Sequence, residues 1–192
     1  MDPRQIVKRS NERMITVDLE SELLQNRILF ITDEICAETV ATYQAELIYL
    51  ASQITDKRNQ VIKIYINSPG GSVYSLLGLY DVMQQLIEKG FIIQTKAMGL
   101  AASAASVILM AGSKGYRSAS PHSRVMIHQP SSITYGKITD MKIDLEEKLR
   151  IKKELIELYH KHTGHDLEEM MERDKWLTAE EAKELGLIDE IK

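Results

Sequence analysis

Residues 60–73 carry the stretch QVIKIYINSPGGSV, which decides the fold class. Residues 60–67 alternate Val61, Lys63 and Tyr65 with three isoleucines, and a Ser-Pro-Gly-Gly turn follows them. This pattern predicts a strand that ends in a tight loop. Apolar side chains then recur every three to four positions, which predicts a helix over residues 72–89, ended by Gly90. The stretch therefore opens a strand-turn-helix unit.

The same order of elements recurs on both sides of this stretch. Strands are predicted at residues 27–32, 91–99 and 123–130, and helices at residues 36–54, 100–112 and about 139–162. Near the C-terminus, Thr178 and Glu181 form a capping box that predicts another helix, followed by a short last strand. Alternating strands and helices predict an α/β fold with right-handed crossovers. No linker interrupts the pattern, so we expect a single domain over residues 1–192.

Composition and charge restrict the function classes. The chain has 192 residues, 44% hydrophobic content, 27% charged content and a net charge of -4. Interleaved acids and bases disfavour nucleic acid as a partner, because phosphate binding needs a concentrated basic face. The longest apolar stretch, residues 100–111, is shorter than the roughly 20 residues that span a bilayer, so no membrane partner is expected. Cys36 is the only cysteine, which favours a reducing compartment.

Several cofactor motifs are missing from the sequence. It has neither GxGxxG nor GxxxxGK[ST], so the chain is not expected to bind a dinucleotide or hydrolyse ATP itself. It also lacks HExxH. The cluster His160, His162 and His165 straddles a predicted helix end, where we favour a solvated terminus over a metal site. We therefore predict neither a metal nor a cofactor.

Two glycine-containing segments could bind developing negative charge. The turn at Gly70 and Gly71 leaves backbone N–H groups uncovered between a strand and a helix, which suits an anion or an oxyanion. A plain tight connection is the simpler interpretation. In residues 99–106, Ser103 or Ser106 near a helix N-terminus would suit a nucleophile, although small side chains there also permit close packing.

Two further residues stand at predicted element boundaries. His128 ends a buried-looking strand, where catalytic groups of α/β sheets gather. Asp174 lies in a short turn and would alone be an ordinary surface acid. A serine, a histidine and an aspartate together supply the roles of nucleophile, general base and orienting carboxylate.

Five ordered motifs resemble one known family. They are YINSPGGSV at residues 65–73, GLAAS at 99–103, AGSKGYR at 111–117, SRVMIHQP at 123–130, and HTG with ERD at 162–164 and 172–174. The chain resembles the ClpP family, the proteolytic subunits of Clp proteases, from about residue 23 to residue 191. The resemblance implies a ClpP/crotonase fold with repeated ββα units and a protruding handle helix. It also implies a serine-type endopeptidase that cuts unfolded polypeptides into short peptides.

The resemblance implies specific site residues. Ser103 matches the nucleophile, which settles the choice between the two serines, His128 matches the general base, and Asp174 matches the orienting acid. The oxyanion hole would consist of the backbone N–H groups of Gly71 and Ala104.

The resemblance also implies partners. Seven-membered rings would stack in pairs into a tetradecamer, with a handle region at about residues 131–162 packing ring against ring. An AAA+ unfoldase such as ClpX or ClpC would dock on the ring face, where Tyr65 aligns with a docking aromatic, and would consume the ATP. Residues 1–21 would form an axial gate or a flexible segment, and the location would be cytoplasmic.

Three departures from the family pattern keep alternatives open. Ala104 replaces a usual methionine, residues 131–136 replace a glycine-rich stretch, and the segment before Asp174 is shorter than expected. A shorter segment could displace Asp174 from His128. One alternative is therefore a weakly active or silent paralogue that serves as a structural partner in a mixed complex with a second ClpP. A crotonase-type acyl-CoA enzyme on the same fold is disfavoured by the serine, histidine and aspartate set.

Overall fold

The computed structural model describes residues 5–10, 13–54 and 60–192. In this part of the chain the strands are β1 Gln5–Ser10, β2 Arg13–Asp18, β3 Ile28–Ile31, β4 Val61–Ser68, β5 Ile92–Ala102, β6 Arg117–Ala119, β7 Arg124–Ile127, β8 Lys175–Leu177 and β9 Glu190–Ile191. The helices are α1 Leu19–Gln25, α2 Ala37–Gln53, α3 Val73–Glu88, α4 Ala104–Met110, α5 Ile138–Thr163 and α6 Ala179–Glu184, with a 3-10 helix at Met170–Glu172.

One mostly parallel sheet organises the fold. Strands β3, β4, β5, β6 and β9 lie side by side in that order, and each neighbouring pair is parallel. Strand β7 pairs in parallel with the last residues of β5, and β8 pairs antiparallel with β7. The α/β class predicted from the sequence is confirmed.

The core follows the predicted periodicities. In β4, the side chains of Ile62, Ile64 and Ile66 are at most 1% exposed, while Lys63 between them faces solvent. Helix α2 buries the apolar residues that the sequence indicated, Val40, Tyr43, Leu47 and Leu50. Helix α3 buries the predicted Leu76, Leu79, Met83 and Leu86, together with Tyr80, which was not predicted, whereas the predicted Val82 and Ile87 are half-buried. The helices and the sheet thus share one hydrophobic core.

Strand β5 is longer than the sequence predicted. The prediction of a helix beginning at residue 100 is wrong, because β5 continues to Ala102 and α4 begins only at Ala104. Gly99 takes φ 118°, and the side-chain oxygen of Asn67 accepts a hydrogen bond of 3.0 Å from the N–H of Leu100. Pairing of this segment with β7 outweighs the helix propensity of its alanines.

The N-terminal region contains regular structure. Strands β1 and β2 pair antiparallel, and α1 follows with Asp18 as its N-cap. The sequence predicted only a gate or a flexible segment for residues 1–21. Residues 1–4 and 11–12 of that segment lie outside the described residues.

The long helix α5 has two different halves. Ile151, Leu155 and Tyr159 in its C-terminal half are at most 7% exposed, whereas Leu145 and Leu149 in its N-terminal half are 55% and 57% exposed. The sequence predicted one apolar face along this helix, and the rest of the described chain covers only half of it. Among the described residues, no helix is both long enough and apolar enough to cross a membrane.

Candidate active site

Ser103 occupies a sharp turn between strand and helix. It lies between the end of β5 and the start of α4, with φ 54° and ψ −124°. Residues other than glycine rarely adopt such angles, and the strain of about 1–3 kcal/mol persists only where the surroundings fix the backbone. The Ser103 side chain is partly exposed, whereas all seven residues of α4 are buried. The turn therefore presents one hydroxyl at the edge of the sheet.

Parallel pairing brings His128 to this hydroxyl. Strand β7 aligns Met126 with Ala102 of β5, and the N–H of Ser103 donates to the carbonyl oxygen of Met126 at 2.8 Å. His128 follows the end of β7 and so emerges at the same edge. Its Nε2 lies 2.8 Å from the Oγ of Ser103. A neutral imidazole accepts the serine proton at this distance, which is the contact required of a general base.

Asp174 reaches the other side of the imidazole through a strand that the sequence analysis missed. Antiparallel pairing places Lys175 of β8 opposite Ile127 of β7, so the residues next to them, Asp174 and His128, meet at the strand ends. The Oδ1 of Asp174 is 3.2 Å from the Nδ1 of His128. The side chain of Asp174 is 65% exposed, which weakens its electrostatic hold on the ring because water screens the pair.

The segment before Asp174 is tied to the residue that follows His128. The N–H of Gln129 donates to the carbonyl oxygen of Met171 at 2.7 Å, and its side-chain amide donates to the Glu172 carbonyl oxygen at 3.1 Å. Lys152 of α5 donates to the Glu172 carboxylate at 2.6 Å and thereby lowers the pKa of that carboxyl. With these ties, the shorter segment does not carry Asp174 out of reach of His128.

The glycine turn packs directly against the Ser103 turn. A Cβ added to Gly70 would lie 2.5 Å from the carbonyl oxygen of Ala102, 2.8 Å from the Ser103 Cβ and 2.9 Å from the Ala104 nitrogen. Gly70 also has φ 94°, which favours glycine. No other residue fits at this position without moving the chain that carries Ser103.

Two amides in these turns are not used by the neighbouring backbone pairs. The bridge at Gly71 uses the N–H of Ile35 and the N–H of Ser72, at 2.8 Å and 2.7 Å from their acceptors, and leaves the Gly71 N–H out of the pairing. Ala104 is the first residue of α4, and the first amides of a helix have no carbonyl partner within it. These are the two donors predicted for an oxyanion hole.

Ser106, the other serine considered, does not face the imidazole. It is fully buried, and its hydroxyl lies 2.7 Å from the carbonyl oxygen of Ser103 and 2.6 Å from the hydroxyl of Tyr159. Nothing in the pattern of α5 distinguishes Tyr159 from other apolar positions, so its contact with Ser106 could not be predicted from the sequence.

Tyr65 lies away from the buried face of β4. Its ring packs on Phe30 of β3, with centroids 5.3 Å apart, and Phe30 is 42% exposed. Sequence reasoning missed Phe30, although the parallel pairing of β3 with β4 places the two aromatics side by side.

The surroundings of His128 are open to solvent. A cleft of about 510 Å³ is lined by His128, Gln129, Pro130, Ser131, Glu172, Arg173 and Asp174. Among residues 5–10, 13–54 and 60–192, no cluster of three or more histidine, cysteine, aspartate or glutamate side chains is arranged to hold a metal ion.

Comparisons with known proteins find relatives over most of this chain. The family described as Clp protease matches residues 10–192. An ATP-dependent Clp protease proteolytic subunit of Bacteroides fragilis is 46% identical over 186 residues, which cover 94% of this chain and 87% of the relative. The subunit of the same name from Porphyromonas gingivalis is 44% identical over 189 residues, or 97% of this chain and 82% of the relative. The one from Bacteroides thetaiotaomicron is 45% identical over 186 residues, with 94% and 82% covered.

Proposed function

The chain belongs to the Clp protease family and is a serine-type endopeptidase subunit, and we propose that Ser103, His128 and Asp174 are its catalytic residues. Ser103 is the nucleophile, His128 the general base and Asp174 the carboxylate that orients the imidazole. The single observation that carries the assignment is the distance of 2.8 Å between the Ser103 Oγ and the His128 Nε2.

The proposed reaction proceeds in two halves. His128 takes the Ser103 proton while Oγ forms a bond to the scissile carbonyl carbon, whose oxygen becomes an oxyanion. The C–N bond then breaks, and the imidazolium returns its proton to the leaving amine, which leaves an acyl-enzyme. Water, deprotonated by His128, attacks the ester. Collapse of the second oxyanion releases the acid product and returns the proton to Ser103.

The oxyanion hole consists of the N–H groups of Gly71 and Ala104. The close packing of Gly70 on Ser103 and on the Ala104 nitrogen supports this assignment, because it holds both turns at one place. Fixed backbone donors stabilise the charge without reorganising, which makes them effective in the transition state.

A serine variant tests the assignment. Ser103→Ala should lower kcat for a fluorogenic peptide by a factor of about 10⁴–10⁶, because the variant lacks the nucleophile and His128 and Asp174 cannot act without it. Labelling by a fluorophosphonate should disappear in the same variant. Ser52→Ala, which removes an exposed hydroxyl in α2, serves as the control and should retain both. Peptide hydrolysis by Ser103→Ala at the parental rate would overturn the assignment.

The open apolar surface supports assembly. Leu145 and Leu149 of α5, with Ile138 at 87% exposure, would lie against a second copy, so that residues of about 131–162 form the handle between two rings. We propose seven-membered rings that stack into a tetradecamer, each subunit being a single domain over residues 1–192, with residues 1–21 at the axial gate.

An ATP-consuming partner completes the proposed complex. The relatives are named as ATP-dependent proteolytic subunits, and the sequence of this chain contains no P-loop motif. We propose that an AAA+ unfoldase, of the ClpX or ClpC type, binds at the exposed Phe30 and the half-buried Tyr65 and delivers unfolded polypeptides. The chain itself would need no cofactor, and the complex would work in the cytoplasm.

The two alternatives are not favoured. The identity of 44–46% to proteolytic subunits and the contact between Ser103 and His128 give no support to a silent structural partner. The contact between Ser103 and His128 also disfavours a crotonase-type acyl-CoA enzyme, which would rely on acidic residues instead of a serine and a histidine.

A further inference from the structure

A buried pair of hydroxyl groups lies directly behind the Ser103 turn. Ser106 is 0% and Tyr159 is 2% exposed. Their oxygens are 2.6 Å apart, and the Ser106 Oγ is also 2.7 Å from the carbonyl oxygen of Ser103. Tyr159 lies in α5 and is 53 residues away from Ser106 along the chain. The pair joins the long helix to the backbone of Ser103.

The direction of these hydrogen bonds follows from counting protons. Each hydroxyl has one proton to donate, and the Ser103 carbonyl oxygen can only accept. The Ser106 hydroxyl therefore donates to Ser103, and the Tyr159 hydroxyl donates to Ser106. Burial raises the pKa of Tyr159 far above its usual value, so this hydroxyl keeps its proton wherever the protein is folded.

The Ser103 carbonyl oxygen is consequently held by two donors. The N–H of Ser106 donates to it at 2.9 Å, and the Ser106 hydroxyl donates at 2.7 Å. The peptide bond between Ser103 and Ala104 is planar and trans, so its C=O and its N–H point in opposite directions. Fixing the carbonyl of Ser103 therefore also fixes the direction of the Ala104 N–H.

We propose that Ser106 and Tyr159 are positioning residues that aim the Ala104 N–H into the oxyanion hole. This inference rests on the proposed function, because it assigns a cause to the orientation of one donor of that site. Tyr159 acts only through Ser106, which acts only through the peptide plane between Ser103 and Ala104. Neither residue touches the substrate.

The test uses the full-length protein and a fluorogenic peptide. Ser106→Ala should lower kcat by about 10-fold while KM stays within about twofold, because a misdirected donor weakens binding of the transition state alone. Tyr159→Phe should lower kcat by about threefold, since Ser106 keeps its bond to Ser103 but loses the group that orients its hydroxyl. The double variant should match Ser106→Ala, because Tyr159 has no other route to the site.

A second measurement separates positioning from a general loss of structure. A peptide boronate forms a tetrahedral adduct with a serine nucleophile, and its affinity should fall by the same factor as kcat/KM. The affinity of the amine-side product peptide, which has no carbonyl or carboxylate oxygen at the scissile position and so leaves the oxyanion hole empty, should remain unchanged. Tyr80→Phe is the matched control, since Tyr80 is 5% exposed and its hydroxyl bonds to His162 instead. It should leave kcat and boronate affinity at the parental values.

Each result decides the inference. Unchanged kcat in Ser106→Ala, or equal losses of boronate and product affinity, would overturn it. If Ser106→Ala does not fold, Tyr159→Phe decides alone, and behaviour equal to that of Tyr80→Phe would overturn the inference. A parental protein that neither cleaves peptides nor binds the boronate would remove the proposed function and this inference together, an outcome distinct from failure of the variants.

Discussion

The two halves of α5 have similar apolar spacing but different surroundings. In the C-terminal half, Leu155 and Tyr159 pack into the core and are at most 5% exposed. In the N-terminal half, Leu149 and Leu145 are more than half exposed, while Lys148 bonds to Asp144 and to Thr134 of the preceding loop. One helix thus serves the subunit at one end and is free for another molecule at the other.

This difference shows that an apolar stripe does not specify what covers it. Periodicity reports which face of a helix avoids water, and a core or a second copy can satisfy it equally well. If the two halves differ in this way, substitutions in them should have different effects on the folding of the subunit.

The largest effect on folding is expected from the inner half. Leu155→Ala should lower the free energy of unfolding by about 2–5 kcal/mol, because it leaves a cavity in a packed core. Urea denaturation followed by circular dichroism measures this loss. Leu149→Ala is the matched control, with the same chemical change at an exposed position. If the two variants lose the same free energy of unfolding, the two halves of α5 do not differ in their contribution to folding.

A smaller effect is expected at the end of the inner half, where His162 is partly buried. Burial, followed by the charges of Lys161 and Arg117, lowers the pKa of His162 to about 4, from a usual value of 6.5. The folded state therefore disfavours the protonated ring. The contribution of the neutral His162 ring to stability is therefore complete above about pH 6.5 and is lost as the pH falls toward 4. Since part of the ring contacts solvent, we expect a loss of about 1–2 kcal/mol.

Urea denaturation at a series of pH values measures the contribution of His162. His162→Gln, whose side-chain amide can still form a hydrogen bond with the Tyr80 hydroxyl, should have a flatter dependence on pH between about 6.5 and 4. His160→Gln, an exposed neighbour on the same turn, should retain the parental slope. An unchanged slope in the His162 variant would show that the ring titrates alike in both states.

The smallest effect on folding is expected from the outer half. Leu149→Ser should change the free energy of unfolding of the subunit by no more than about 0.5 kcal/mol, as for most surface substitutions. If copies pair through this face as proposed, the mass of the variant by light scattering should nevertheless shift from paired rings toward single rings, because the substitution removes an apolar contact. Lys153→Ser shortens another exposed side chain of α5 and should keep the parental mass. If both variants keep the mass of paired rings, Leu149 has no role in assembly.

Much of the fold was predictable because its periodicities are strong. Residues 60–67 alternate cleanly, α2 buries the side chains that its spacing indicated, and α3 buries four of the six. Strand β8 and helix α1 were missed, because three and seven residues are too short for a clear period. The boundary between β5 and α4 was misplaced, because alanine favours helices locally while strand pairing depends on distant residues.

The candidate site was predictable mainly through the family motifs. These named Ser103, His128 and Asp174. In the structure the His128 ring lies 2.8 Å from the Ser103 hydroxyl and 3.2 Å from the Asp174 carboxylate. The positive φ of Ser103 leaves no mark in the sequence, since any serine can occupy such a turn if its surroundings hold it. The bond between Ser106 and Tyr159 joins distant parts of the chain, so no local pattern announces it.

The tight fit of Gly70 has a consequence for the order in which the subunit folds. The glycine turn and the Ser103 turn are about thirty residues apart along the chain, yet the space between them admits no Cβ. The close packing of the two turns requires them to dock on each other, and closing this separation is a long-range step. If Gly71 and Ala104 supply the oxyanion donors as proposed, a nascent or partly unfolded chain would have a serine but no aligned donors. On the proposed site assignment, the subunit would gain its capacity to cut peptide bonds only when its own fold is complete.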